Sequence, residues 1–293
     1  MAASTNSTEQ TDTNSNILSR ESLYSVTKIN WRRYFGILCS LTSVVLFSSS
    51  YVAVKYVHSI SASQIFQLRC CFQFFIILPF ITALRGTINI AESKEKVLFL
   101  VAQGIVATLG SACIVMSVER ISVGDAVTVS FCSVICTSLF AFIWLGEPFT
   151  AADGCFSLLT VSGVILITKP EFIFGSQANG YDFEGIMGIM LALLHSVFAG
   201  AAYVMMRKLG KKTHPMITAT YFSLAGQLTS SVLIFSTTGY QLPCFHELIF
   251  ISFYSVGALI AYIALILALQ RERAGIVALL QTFEIVVTFI LQV

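Results

Sequence analysis

The chain has 293 residues, 56% hydrophobic and 11% charged, with a formal net charge of +2 and a mean hydropathy of +0.83. This balance excludes a pair of soluble domains, and with no dense basic run the sequence predicts no nucleic-acid partner. Charged residues cluster between long apolar runs instead of alternating with them at short period, so the expected class is an all-α polytopic membrane protein whose partner is the lipid bilayer.

Residues 1–34 are rich in Ser, Thr and Asn and read as a disordered cytoplasmic tail without a signal peptide. Asn6-Ser7-Thr8 matches a glycosylation acceptor, but the orientation derived below puts it on the wrong face. Nine spans are predicted, at about Phe35–Val57, Gln64–Leu84, Val97–Val118, Gly124–Trp144, Ala151–Thr168, Gly185–Met206, Met216–Ser236, Leu248–Leu269 and Ala274–Val293. Links as short as Glu119–Val123 force the helices they join to be antiparallel neighbours. With the N-terminus inside, 13 of the 17 Lys and Arg residues fall on the cytoplasmic side; Lys55, Arg120 and Lys169 fall opposite, and Arg69 lies within a span. The positive-inside rule therefore sets the N-terminus in the cytoplasm. Plasma membrane, Golgi and endoplasmic reticulum all suit spans of this length.

Seven of the eight cysteines lie in or at the edge of apolar runs, which is not a disulfide framework. Cys132 and Cys136 sit one turn apart without a His or carboxylate beside them and read as packing residues. No metal, cofactor or catalytic constellation is expected, and the chain reads as a non-enzyme.

A shift of 151 residues lays Phe99 on Phe250, Ala107 on Ala258, Arg120 on Arg271 and Gly124 on Gly275 without a gap. A shift of 152 lays Gly36 on Gly188, Tyr51-Val52 on Tyr203-Val204 and Lys55 on Arg207. The near-constant offset predicts an internal repeat, with a first unit over 35–170, a linker over 171–184 and a second unit over 185–293. Five spans per unit is an odd number, so the second unit is inverted relative to the first, as in many secondary transporters. The second unit shows four spans, so the sequence reads as a ten-span fold with its last span missing.

Glu284 is the one formal charge of the last span and falls near its middle. A carboxylate at that depth costs about 2.5–3.5 kcal/mol on insertion scales, so it is expected to face protein or water instead of lipid. Gln281, Thr288 and Gln292 share its face, and Gln281, Glu284 and Thr288 fall under the repeat on Ser130, Ser133 and Thr137. Two matching polar faces at a central cavity are one reading; hydroxyls bonded back to their own helix are the other.

The passage Phe142–Pro170, FIWLGEPFTAADGCFSLLTVSGVILITKP, has a span ending in Leu-Gly-Glu147, a short turn and a glycine-bearing span closing on Lys169-Pro170. It resembles the EamA domain of the drug/metabolite transporter superfamily, and with Glu171–Gly175, Ala274-Gly275 and Glu284 it is similar to the G-type members of solute carrier family 35. The resemblance covers about Arg33 to Val293 and implies ten spans in two inverted five-helix units with both termini cytoplasmic. Related sequences usually carry a proline in the middle of span four; Phe131–Cys136 has none, which removes the sequence reason for a kink there.

His195, midway along span six, reads either as a helix-packing donor or as a site residue forming a proton-sensitive pair with Glu284. Arg69 reads either as a side chain snorkelling to the headgroups or as an anion anchor, with Gln73 one turn deeper. Lys55 shares that ambiguity, while Arg207 reads as a topology anchor. Tyr51 and Tyr203 line the cavity or belong to interfacial belts. Glu147 is expected to cap a helix or pair with a basic loop. The leading expectation is a secondary transporter of a small polar, anionic metabolite working by alternating access. A non-transporting membrane scaffold or regulatory partner on the same fold is the alternative, with a homodimer or another membrane protein as its companion.

Overall fold

The computed structural model describes residues 34–50, 57, 59–83, 94–148, 150–168, 183–210, 213–237 and 240–292. Tyr51, Lys55, residues 1–33 of the predicted tail over 1–34 and residues 171–182 of the predicted linker over 171–184 lie outside these described residues, while Tyr34, Phe183 and Glu184 are helical. In chain order the helices are α1 (Tyr34–Ser50), α2 (Ala62–Ala83), α3 (Lys94–Val118), α4 (Val123–Ser130), α5 (Ser133–Phe140), α6 (Ala151–Thr168), α7 (Phe183–Leu209), α8 (Pro215–Thr237), α9 (Phe245–Leu269), α10 (Ala274–Gln281) and α11 (Phe283–Gln292). A π-helical turn, Ala141–Leu145, extends α5. No strand occurs among the described residues.

Five helical stretches, Ala62–Ala83, Lys94–Val118, Gly124–Leu145, Phe183–Leu209 and Phe245–Leu269, are long and apolar enough to cross a membrane. Large apolar side chains are left exposed on these stretches and on α8, among them Leu98, Phe253, Leu228 and Phe235, a surface that lipid tolerates and water does not. The chain is an all-α polytopic membrane protein. In lipid the backbone must satisfy itself, and the abundant Ser and Thr residues follow suit by donating to the preceding turn, as Thr108 does to Gly104, Ser223 to Ala219 and Ser255 to Ile251.

Helix α9 is the most buried of the five candidate spans, with Ile251, Ala258, Ala261, Ala268 and Leu269 almost free of accessible surface. It packs on α2 and α8, while α7 packs along α3, α4 and α5, and α10 lies on α5. Small residues allow the closest of these approaches. A Cβ on Gly200 of α7 would stand 2.9 Å from both Cys136 Cβ and Thr137 N.

Span four is not continuous. Helix α4 stops at Ser130 and α5 resumes at Ser133, and across the gap Cys132 N bonds Val129 O, Val134 N bonds Phe131 O and Ile135 N bonds Cys132 O at 3.0–3.1 Å. These are i→i−3 bonds, a tightened turn made without proline. The proline-free sequence gave no reason for a break, and the local hydrogen bonding supplies one. The same break recurs at Thr282, between α10 and α11, where Thr282 N bonds Leu279 O at 3.2 Å and Ile285 N bonds Thr282 O at 3.3 Å. Phe131 and Thr282 are 151 positions apart, the shift that aligns the two halves of the sequence.

Candidate functional site

Glu284 opens α11, immediately after the second helix break. The residue is half-buried. Its main-chain oxygen accepts from Ser48 Oγ of α1 at 3.2 Å.

Arg69 of α2 is buried and turned into the bundle, not out to the headgroups. Its Nη1 donates to the Tyr254 hydroxyl of α9 at 3.1 Å. The guanidinium lies 5.3 Å from the Tyr254 ring centre and 6.0 Å from that of Phe47. With the Gln73 amide turned to satisfy its neighbours, the Gln73 oxygen accepts from Arg69 Nε and from Leu259 N, both at 3.3 Å. A guanidinium gripped at two nitrogens and flanked by rings is pre-oriented, which lowers the entropic cost of using it. Phe47 and Ser48 are consecutive, so the Arg69 guanidinium and the Glu284 main chain approach the same turn of α1.

Tyrosines complete the surround. Tyr203 of α7 is half-buried. The Tyr262 hydroxyl of α9 takes a long hydrogen bond of 3.4 Å from Gln103 Nε2 of α3, and its ring stacks at 4.6 Å on Phe222. Helices α2, α3 and α9 therefore hold Arg69, Gln73 and Tyr254 in one hydrogen-bonded group and Gln103 and Tyr262 in another. Tyr254, Tyr262 and Gln103 were not singled out from sequence. Their signal was depth, since each falls well inside its helix and away from any interfacial belt.

Other expected residues go elsewhere. His195 Nδ1 meets Gly110 O at 2.8 Å; a carbonyl can only accept, so Nδ1 carries the hydrogen and His195 joins α7 to α3. It stands two helical turns from Tyr203, about 12 Å along the axis. Ser130 and Thr137 donate back to Ala126 O at 2.7 Å and Ser133 O at 2.6 Å, so their hydroxyls are engaged by their own helices. Ser133 and Thr288 are half-buried. Gln281 is buried, and its amide donates to Ser43 Oγ of α1 at 2.6 Å, a helix-to-helix tie. Tyr51 lies outside the described residues.

Glu147 forms a second polar cluster at one end of the bundle. One carboxylate oxygen pairs with Arg207 Nε at 2.9 Å and the other accepts from Ala274 N, the first amide of α10, at 3.1 Å. Arg207 Nη1 also donates to Leu269 O at 3.1 Å, and Arg273 Nη1 to Pro148 O at 3.1 Å. Glu147 thus both caps a helix and pairs with a base, and a small solvent-open cleft lies beside it. Gly146, with φ 67°, provides the left-handed turn that presents Glu147. Among the described residues no group of three or more His, Cys, Asp or Glu stands close enough to hold a metal ion.

The sequence matches the EamA-like transporter family over residues 34–169 and 186–293. It is 34% identical to human (Homo sapiens) solute carrier family 35 member G1 over 263 residues, which is 88% of this chain and 71% of that protein. The mouse (Mus musculus) protein of the same name is 32% identical over equal shares. The pseudopaline exporter CntI of Pseudomonas aeruginosa is 28% identical over 199 residues, 68% of this chain and 66% of that one. A solved crystal structure superposes with a TM-score of 0.74 at 16% identity, covering 88% of this chain and 87% of the other, which is a likeness of fold.

Proposed function

The chain belongs to the EamA-like transporter family, close to the G-type members of solute carrier family 35, and from that premise we propose that it is a secondary transporter of a small polar metabolite bearing an anionic group. The observation that supports the proposal is a buried, pre-oriented Arg69 in α2 together with an intramembrane acid, Glu284, in the last span, each with a contact to one of two consecutive residues of α1. Arg69 reads the substrate's anion, and Tyr203, Tyr254 and Tyr262 provide hydroxyls and ring faces for the rest of it. An acid kept inside the bilayer at this cost has a role in ion or substrate passage.

The transport cycle is alternating access between two inverted five-helix units, with the N-terminus in the cytoplasm. Three observations support this. The helix breaks at Phe131 and Thr282 fall at equivalent repeat positions. Ser196 of α7 donates to Val129 O at 2.9 Å beside the first break, while Ser48 of α1 donates to Glu284 O beside the second, so the first helix of each unit serves the broken helix of the other. A Cβ on Gly36 would meet the Glu272 side chain, and one on Gly188 would meet Ile121 Cγ2 at 2.7 Å; these are the same two repeat positions with the halves exchanged. Breaks of this kind at midplane are a feature of transporter sites.

The test is solute counterflow with the full-length protein in liposomes, against a panel of polar metabolites. Exchange of at least one anion-bearing compound, lost in Arg69→Ala, is expected. No flux from any compound, together with a stably co-purifying membrane protein, would favour the scaffold reading instead.

A further inference from the structure

Arg207 and Lys208 are consecutive in the last turn of α7, yet they serve different surroundings. Arg207 is turned into the Glu147 cluster, whereas Lys208 is exposed, with its ammonium 5.2 Å from the centre of the Trp144 ring and 5.8 Å from that of Phe99. Three elements therefore meet at one cation: the end of α7, the start of α3 and the π-helical turn that closes span four. All three are ends of stretches long and apolar enough to cross a membrane, so this level of the bundle is where hydrocarbon gives way to headgroups. The surrounding surface faces lipid: Leu98, Phe142, Ile143 and Trp144 are 70%, 53%, 68% and 51% exposed. Ring faces attract an ammonium, but they do not replace oxygen acceptors for its three N–H donors. Among the described residues no carboxylate pairs with Lys208. Lys96, one turn before Phe99 on the same side of α3, is exposed as well, and so are Lys94 and Glu95, which leaves this edge positive.

We propose that this edge binds the headgroup of an anionic phospholipid, with the phosphate on Lys208 between the Trp144 and Phe99 rings and the acyl chains along Leu98 and Ile143. The site is independent of the transport reading. Water satisfies an ammonium too, but the apolar side chains beside Lys208 are covered by acyl chains, and a phosphate joined to those chains is delivered to the ammonium with them. A zwitterionic headgroup offers the same phosphate together with a cation of its own, which Lys208 and Lys96 repel, so the anionic lipid is the one preferred. The two rings fix where the ammonium stands, which lowers the cost of ordering a long side chain around a single headgroup.

Trp144 is its own reporter. The chain has two tryptophans, so Trp31→Phe leaves Trp144 as the single fluorophore. The protein is reconstituted into vesicles of phosphatidylcholine and phosphatidylglycerol, with bromines on the acyl chains of one lipid or of the other, so that the composition is constant and only the quencher moves. Bromines on phosphatidylglycerol are expected to quench Trp144 as if that lipid were enriched about fivefold over its bulk share, the factor expected for one lysine at an anionic surface. Added sodium chloride should lower the enrichment. Lys208→Gln should return quenching to the bulk share, and Lys208→Arg should keep the preference. Lys208 is exposed, and the wild-type comparison stands without any variant. Equal quenching by both labels in wild type, or a preference that survives Lys208→Gln, overturns the inference. Inorganic phosphate that abolishes the preference where chloride at matched ionic strength does not would assign the site to the free ion and overturn the lipid as its occupant.

Discussion

Replacing Glu147 by alanine removes two interactions at once from a cluster that joins the end of span four to α7 and α10. The Arg207 bond at 2.9 Å is charge-assisted, a class that contributes about 1.5–3 kcal/mol. Capping Ala274 N at 3.1 Å adds about 1 kcal/mol, helped by the helix dipole. Arg207 and Glu147 retain 23% and 14% of their side-chain exposure, so water recovers part of the loss, and Arg207 keeps its bond to Leu269 O. The net expectation for Glu147→Ala is about 2 kcal/mol, and for Glu147→Gln, which keeps an acceptor for Ala274 N, about half of that. The assay is equilibrium unfolding in mixed micelles at increasing denaturing detergent, with Arg207→Ala and the double variant completing a cycle. Coupling of about 1 kcal/mol is expected. An alanine variant within about 0.5 kcal/mol of wild type, or a cycle with no coupling, would refute the assignment of Glu147 as a tie between the spans.

The helix contact at Gly200 should be equally exacting: Gly200→Ala places a methyl 2.9 Å from Thr137 N, and because backbone cannot give way the cost is about 1–3 kcal/mol in the same assay, with a neutral variant contradicting the packing. His195→Phe should cost about 1 kcal/mol through the lost Gly110 bond while leaving counterflow within about twofold of wild type; loss of transport in a folded variant would return His195 to the site. Glu247 accepts from Ser59 N at 3.0 Å, from the Ser59 hydroxyl and from Cys244 N at 3.3 Å, so Glu247→Ala should free the segment before α2 and lower stability by about 2–4 kcal/mol. Faster proteolysis between Val57 and Ser61 would report the release, and unchanged cleavage would argue against it.

What could be read from sequence follows from how strongly each feature is forced. Hydropathy dictates helices in lipid, so the positions of most helices were legible from apolar runs alone. The depth and cost of Glu284 marked it for the same reason, and the Leu-Gly-Glu147 turn announced a capping acid that the structure places on Ala274. Partners set by the handedness of packing were not legible. Whether Arg69 ran outward or inward depended on Tyr254, which lies 185 positions away, and nothing local links the two. Ser130 and Thr137 showed the converse: a 3,4-spaced hydroxyl face has the same spacing whether it lines a cavity or bonds its own helix, and here those two hydroxyls bond their own helix. The break at Phe131–Cys132 was hidden because it is made by i→i−3 hydrogen bonds instead of by proline.

The central claim is that Arg69 and Glu284 together form the substrate site of a transporter. Its most direct test is counterflow of an accepted substrate by full-length wild type, Arg69→Lys and Glu284→Gln, reconstituted at equal density and verified as folded by their unfolding midpoints. A drop of at least about tenfold in both variants is predicted, because lysine cannot reproduce the planar grip of Tyr254 and Gln73 and glutamine cannot supply the charge. Wild-type rates in both folded variants would contradict the account and place the site elsewhere in the bundle.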